Sequence, residues 1–235
     1  MNLAPPLALY MRPSETVEQN PSAALFADME NRFRDGLAPL LIKRNAVICG
    51  QGTRISNLYL IKQGEIVLTR LSPDGRETLI SILGPGDFFG ESALLSGSTI
   101  TFSARATKRS KLLLLPERKF KQLLDDPWAC RIFLETTARR CDDAWTQMEL
   151  LGCTHVRDKV RSGLIWLSGR FGVETQDGVR IDLNQTQLAR MVGCARETLS
   201  REVSELRRQH TIQVRQSNGR KSFFVLKPEQ LENSV

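Results

Sequence analysis

The sequence predicts an α+β chain: a strand-rich front half, one long helix, and a winged helix-turn-helix at the back. Three observations carry that class. Between Leu40 and Leu115, short apolar or alternating runs are cut by Gly, Asn and Asp. From Asp126 onward, no helix breaker follows Pro127 until Gly152. Around Gly193 two short helical patterns meet, and two apolar runs then flank Ser217-Asn218-Gly219.

The front half contains 57-NLYLIKQGEIVLTRL-71, 78-TLISIL-83, 101-TFSARAT-107 and 111-KLLLLP-116. Turn signals stand at Gly50-Gln51-Gly52, Gln63-Gly64, Pro73-Asp74-Gly75 and Gly84-Pro85-Gly86-Asp87. Many short strands with regular turns suit a sandwich or barrel; a parallel sheet would need helices between its strands. A short helix over Glu117 to Leu124 follows Pro116. Prolines and polar residues in MNLAPPLALYMRPSETVEQN predict a flexible tail over 1–25, and the strand-rich domain is assigned to 26–125. That N-terminus lacks the basic start and apolar core of a secretory signal, and no run reaches the length of a membrane span. A cytoplasmic protein with no membrane partner is expected.

Residues 126–152 predict one helix, because Pro127 suits a first turn, where its missing N–H leaves no bond unmade. Leu134, Ala138, Cys141, Trp145, Met148 and Gly152 follow at spacings of 4, 3, 4, 3 and 4. That is a heptad seam, the pattern of a helix pairing with a partner helix. Packing on the chain's own strands would give a similar apolar face. The narrow stripe, flanked by Arg139, Arg140, Asp142 and Asp143, and the length of the helix favour self-pairing. The expectation is a homodimer seam of Leu134, Ala138, Cys141, Trp145 and Met148.

Past a Gly152-Cys153-Thr154-His155 hinge, the last domain is assigned to 156–235. An amphipathic helix, 156-VRDKVRSGLIWLSGRFG-172, ends at glycine. Asn184 then caps 185-QTQLARMV-192, and Gln187 three residues later completes a capping-box pattern. Gly193 makes the turn into a helix from Arg196 to Gln209 with Leu199, Val203 and Leu206 inward. The runs 212-IQVR-215 and 223-FFVL-226 around Ser217-Asn218-Gly219 read as a hairpin.

Charge placement agrees with a polyanion partner at this end. Residues 156–235 hold 14 Lys and Arg against 9 Asp and Glu, whereas residues 1–155 hold 19 against 17. A basic module beside a near-neutral one suits nucleic acid. The five cysteines form no CxxC pair and no cluster with His, so buried or free thiols are expected, with no metal site and no disulfide framework. No nucleophile stands with a base partner and no phosphate loop is present, so an enzyme is not expected.

In a helix-turn-helix the second helix lays its N-terminal residues along base edges in the major groove. Arg196 and Arg201 can make paired bonds to guanine, and Glu197 can accept from cytosine. Asn184, Gln185, Thr186, Thr198 and Ser200 are short or amide side chains suited to the DNA backbone. A surface salt-bridge network among Arg196, Glu197 and Arg201 is the alternative. The turn, the capped helix and the hairpin around them favour DNA.

The segment 192-VGCARETLSR-201 resembles the helix-turn-helix of the catabolite-activator class of the CRP/FNR superfamily of transcription regulators. The stretch 84-GPGDFFGESALL-95 resembles that family's cyclic-nucleotide-type β-roll, and 126–152 stands where the family places its dimerisation helix. The resemblance spans nearly the whole chain from about Phe26. It implies an effector-sensing β-roll of double-stranded β-helix or jelly-roll type, a homodimer, and an inverted-repeat DNA site. It further implies an activator or dual regulator with RNA polymerase as partner. Arg196, Glu197 and Arg201 match the readers of TGTGA-type half-sites. Glu197, Ser200 and Arg201 also match the oxygen-sensing class, which reads TTGAT-type sites, but that class has an apolar residue where Arg196 stands. Cys194, beside these residues and near helix N–H groups, has a redox-active thiol as one reading, while the same resemblance gives it the role of a small residue in the turn.

The family's cyclic-AMP binders use a Gly-Glu pair at the ribose, an Arg-Ser pair at the phosphate, and two hydroxyl residues at the purine. Gly90 and Glu91 match the first pair. Ile100 and Thr101 stand where Arg-Ser would, and Ala144 and Trp145 where the hydroxyls would. The candidate effector pocket is therefore Gly90, Glu91, Ile100, Thr101 and Trp145, with cyclic AMP not expected and the effector unassigned. Gly90 and Glu91 are read as structural, because the turn after Asp87-Phe88-Phe89 needs a flexible residue. No cofactor is expected: the first 48 residues hold no Cys for an iron–sulfur cluster, and His155 and His210 are read as structural or solvated rather than haem ligands. The alternative function is a cyclic-nucleotide-type regulatory subunit acting through protein contacts.

Overall fold

The computed structural model describes residues 27, 28, 30, 31, 36–75, 77–217, 220–226 and 231. The expected tail at 1–25 and the Asn218-Gly219 turn lie outside the described residues. Two compact units form, one drawn from residues 16–143 and the other from 144–235.

The first unit holds two four-stranded antiparallel sheets. In one, β1 (Ala38–Ile42), β8 (Ser110–Pro116), β3 (Asn57–Gln63) and β6 (Phe88–Phe89) pair in that order. In the other the order is β2 (Val47–Cys49), β7 (Ser103–Ala106), β4 (Ile66–Leu71) and β5 (Glu77–Leu83). Ile61, Ile66, Leu68, Leu83, Phe89, Ile100, Ala104 and Leu112 form one core cluster, with Tyr59 packed against it. Tyr59 stacks flat on Phe89, ring centroids 4.7 Å apart.

Strands β3 and β8 bury their other face as well. Leu58, Leu60, Leu113 and Leu115 join Phe88 in a second cluster, together with Phe120 and Leu123 of α2 (Glu117–Leu123). Ala129, Ile132 and Phe133 of α3 (Pro127–Gly152) complete that cluster. This double cover explains why 111-KLLLLP-116 is a continuous apolar run: a strand with two covered faces has no polar side to alternate with. The Asp126 carboxylate accepts the Trp128 N–H at 2.9 Å and so caps α3. The sequence pattern missed β2, β6 and the one-and-a-half-turn helix α1 (Glu91–Ser96), all too short to show a period.

The α3 side chains assigned to the heptad seam are uncovered in the single chain. Leu134, Trp145 and Met148 are 66%, 64% and 68% exposed, and Ala138 and Cys141 are exposed as well. Arg140, expected to flank the seam, turns inward instead.

In the second unit α4 (Val156–Phe171), α5 (Gln185–Val192) and α6 (Arg196–Arg208) pack with a four-stranded sheet. Its order is β11 (Ile212–Ser217), β12 (Arg220–Val225), β10 (Gly178–Ile181) and β9 (Val173–Thr175). Val160, Leu164 and Leu167 of α4, Leu188 and Val192 of α5, and Leu199, Val203 and Leu206 of α6 are all buried. So are Ile181, Phe223 and Val225 of the sheet. The β9–β10 hairpin was not anticipated, although Asp177-Gly178 between two β-branched runs is a hairpin signal. Among the described residues no helix is long and apolar enough to cross a membrane. All five cysteines are free thiols, and burial raises the Cys49 thiol to about 11, outweighing a hydrogen bond from the Ala104 backbone.

Gly90 joins β6 to α1 with φ 101°, and a Cβ there would stand 2.8 Å from Ile55 Cδ1 and 3.3 Å from the Asn57 carbonyl oxygen. Both strain and crowding oppose any side chain, so Gly90→Ala should destabilise the first unit by about 1–3 kcal/mol. Denaturant unfolding reads this directly. A midpoint equal to the parent's would mean the glycine is kept for a reason other than the fold.

Candidate nucleic-acid interface

The helix-turn-helix is built from local chemistry. Asn184 Oδ1 accepts the Gln187 N–H at 2.9 Å, and Gln187 Oε1 accepts the Asn184 N–H at 2.9 Å, closing the capping box that starts α5. The cap occupies Oδ1 and leaves the Asn184 amide NH₂ to donate elsewhere. Gly193 ends α5 in the left-handed region at φ 65°, and its N–H bonds back to the Ala189 carbonyl. Ala195 then starts α6 with no side-chain cap, so the first N–H groups of α6 point out unclaimed by a side chain.

On α6, Arg196, Glu197 and Arg201 are exposed. Positions 196, 197, 200, 201, 204 and 208 recur at helical spacing and line one surface groove together with Gln185 and Glu205. Among the described residues Arg196, Glu197 and Arg201 form no ion pair with one another or with any other side chain. Their acidic neighbours are engaged elsewhere: Glu202 with Arg157 at 3.8 Å, and Glu205 with Arg208. The salt-bridge alternative for this trio is thus not what the structure holds. Thr198 and Ser200 are half-buried beside them, and Asn184 and Thr186 are exposed at the start of α5. Ser204 and Arg208, which no motif in the sequence marks, extend the groove one and two turns further.

Cys194 follows the turn glycine and is half-buried. Burial raises its thiol above the ordinary range; Lys159 and the Leu199 backbone oppose that shift, and Glu202 adds to it. A raised thiol is a poor nucleophile at neutral pH, which agrees with a space-filling role. On the hairpin, Arg215 pairs with Asp177 of the β9–β10 turn at 2.6 Å and lies over the Phe224 ring.

The candidate effector residues are differently disposed. Glu91 opens α1, and its Oε1 receives Arg140 Nη1 from α3 at 2.5 Å. The second guanidinium nitrogen of Arg140 donates to the Phe88 carbonyl, and the group lies 4.8 Å over the Phe88 ring. Glu91 Oε2 is buried with no hydrogen-bond partner among the described residues. Ile100 is 1% exposed and belongs to the core between the sheets, while Thr101 beside it is exposed. Trp145 stands on the exposed stripe of α3. The role of Arg140 was not legible in the sequence, because its partners lie some fifty residues away and no local pattern marks them. Among the described residues no group of three or more His, Cys, Asp or Glu could hold a metal.

Comparison with known proteins places these features in one family. Residues 40–126 match the cyclic nucleotide-binding domain and residues 158–234 the Crp-like helix-turn-helix domain. The cyclic AMP receptor protein of Thermus thermophilus is 30% identical over 165 residues, covering 70% of this chain and 74% of that protein. The CRP-like cAMP-activated global transcriptional regulator of Mycobacterium tuberculosis is 29% identical over 172 residues, 72% of this chain and 77% of that one. Among solved structures, a CRP/FNR-family transcriptional regulator from Thermus thermophilus superposes with TM-score 0.63 at 24% identity, covering 83% of this chain and 97% of that chain. A CooA variant from Carboxydothermus hydrogenoformans does so with TM-score 0.76 at 17% identity, covering 95% and 98%. With a capped helix-turn-helix, a groove that presents Arg196, Glu197 and Arg201, and a β-roll ahead of it in the sequence, the chain belongs to the CRP/FNR superfamily of DNA-binding transcription regulators.

Proposed function

We propose that the protein acts as a homodimer on an inverted repeat of TGTGA-like half-sites, as an activator or dual regulator with RNA polymerase as its partner. Arg196 and Arg201 each read a guanine, and Glu197 accepts from a cytosine across the groove. Asn184, Gln185, Thr186, Thr198 and Ser200 hold the backbone. The observation that carries this reading is the state of Arg196, Glu197 and Arg201, exposed together on one groove and claimed by no ion pair among the described residues. A buried or self-paired trio would have to break its own bonds before reaching a base edge.

Two further observations support the finer points. The uncovered stripe of Leu134, Ala138, Cys141, Trp145 and Met148 gives a second copy an apolar seam to bury. Two recognition helices related by a two-fold axis would then fall about 34 Å apart, one turn of DNA. In the sensor, Ile100 fills the core where a phosphate would need a cation. Glu91, the matching ribose partner, is already held by Arg140. These residues do not fit cyclic AMP, although the relatives above carry that ligand in their names. The protein binds DNA without it, or answers to a larger or uncharged ligand.

Selection of bound sequences from a random DNA pool gives the operator directly, and a TTGAT-like consensus would replace the TGTGA-like one. Against the selected site, Arg196→Ala should cost about 1–3 kcal/mol and relax preference at one base pair per half-site. Equal loss on every operator variant would assign Arg196 to phosphate instead. Met148→Glu should convert the dimer to monomer in sedimentation, since it sets like charges across the seam; a dimer that survives refutes this seam. Calorimetry with cyclic AMP should show no binding at micromolar concentrations, and a micromolar dissociation constant would restore it as effector.

A further inference from the structure

A carboxylate on a surface that faces DNA is a hazard to the arginines beside it. Glu205 stands four residues after Arg201 on α6 and lines the same groove. At that spacing a guanidinium and a carboxylate on one helix meet readily. An unrestrained Glu205 would take the Arg201 donors and turn them away from a base.

The structure restrains it. Gln209, which caps the C-terminal end of α6, donates from Nε2 to Glu205 Oε1 at 2.8 Å, and Arg208 pairs with Oε2. Arg208 alone is a weak restraint, because its side chain is 78% exposed and such pairs are worth little in water. Gln209 is anchored from inside: Arg161 of α4, 4% exposed, donates from Nη2 to Gln209 Oε1 at 3.2 Å. A guanidinium can only donate, so it fixes the amide oxygen inward and the amide NH₂ outward, toward Glu205. The buried cation thereby decides which way an exposed amide faces.

We infer that Gln209, oriented by the buried Arg161, is a positioning residue for Arg201: it holds Glu205 toward the C-terminal end of the recognition helix and leaves the Arg201 guanidinium free for DNA. The inference rests on the reading of Arg201 as a base contact given above.

The test is a mutant cycle in the full-length protein, with affinity for the selected operator measured at low salt. Gln209→Ala should bind about 1.5- to twofold more weakly, the scale of an i,i+4 ion pair. Glu205→Ala in that background should restore parent affinity, and its gain should exceed the gain from Glu205→Ala in the parent. A merely structural role for Gln209 predicts no such recovery, because the double variant loses more bonds than the single one. Parent-like binding by Gln209→Ala, or equal gains from Glu205→Ala in both backgrounds, would overturn the inference. Arg201→Ala on operator variants separates the two readings: a loss uniform across all of them removes the base contact, while the cycle still reports on Gln209 through affinity alone.

Discussion

Strands β3 and β8 present apolar side chains on both faces, and much of the first unit follows from covering them twice. One face meets the second sheet; the other, carrying Leu58, Leu60, Leu113 and Leu115, meets α2 and the start of α3. Each of those leucines is worth about 1.5–3 kcal/mol when fully buried. Uncovering that face would consume much of the net stability of an ordinary domain, about 5–15 kcal/mol. The long helix must therefore begin on the roll. At about 1.5 Å per residue its 26 residues span about 39 Å, and the cluster takes only Ala129, Ile132 and Phe133 from its start. Its other face is left with a stripe of apolar side chains that the chain itself does not cover.

The same helix supplies the cation that meets Glu91. Arg140 is flanked by the Phe88 ring and the Phe88 carbonyl, so its charge is partnered by a carboxylate, a dipole and a π-face together. Taking two charges out of water is costly, and the pair persists where several such contacts act at once. The pair joins α3 to the β6–α1 corner. Gly90 at that corner is explained by geometry alone, since neither φ 101° nor the space around it admits a side chain.

On the recognition helix, charges divide into two groups. Glu202 and Glu205 are engaged by Arg157, Arg208 and Gln209, whereas Arg196, Glu197 and Arg201 are not engaged among the described residues. Exposed ion pairs contribute little to stability, so their value here is directional: they decide which side chains remain available. The nearest α6 carboxylates toward its C-terminal end are thus occupied, while the residues at its N-terminal end are open to a partner.

Elements governed by neighbours in the chain were legible in the sequence. The Asn184–Gln187 capping box, the Gly193 turn, the inward Leu199, Val203 and Leu206, and the unbroken helix after Pro127 all rest on contacts within a few residues, and such contacts leave a local pattern. The β9–β10 hairpin is equally local, with its signal at Asp177-Gly178. What the tertiary structure decided depends on groups far apart in sequence. Ile100 is buried because the two sheets close over it. Arg140 turned inward because Glu91 and Phe88, some fifty residues earlier, offer it a carboxylate, a carbonyl and a ring. Gln209 faces Glu205 because Arg161, forty-eight residues earlier, is buried beneath it. Sequence periodicity records which side of an element is apolar; the partner of a buried charge is chosen only when distant elements pack, because only then is water excluded from it.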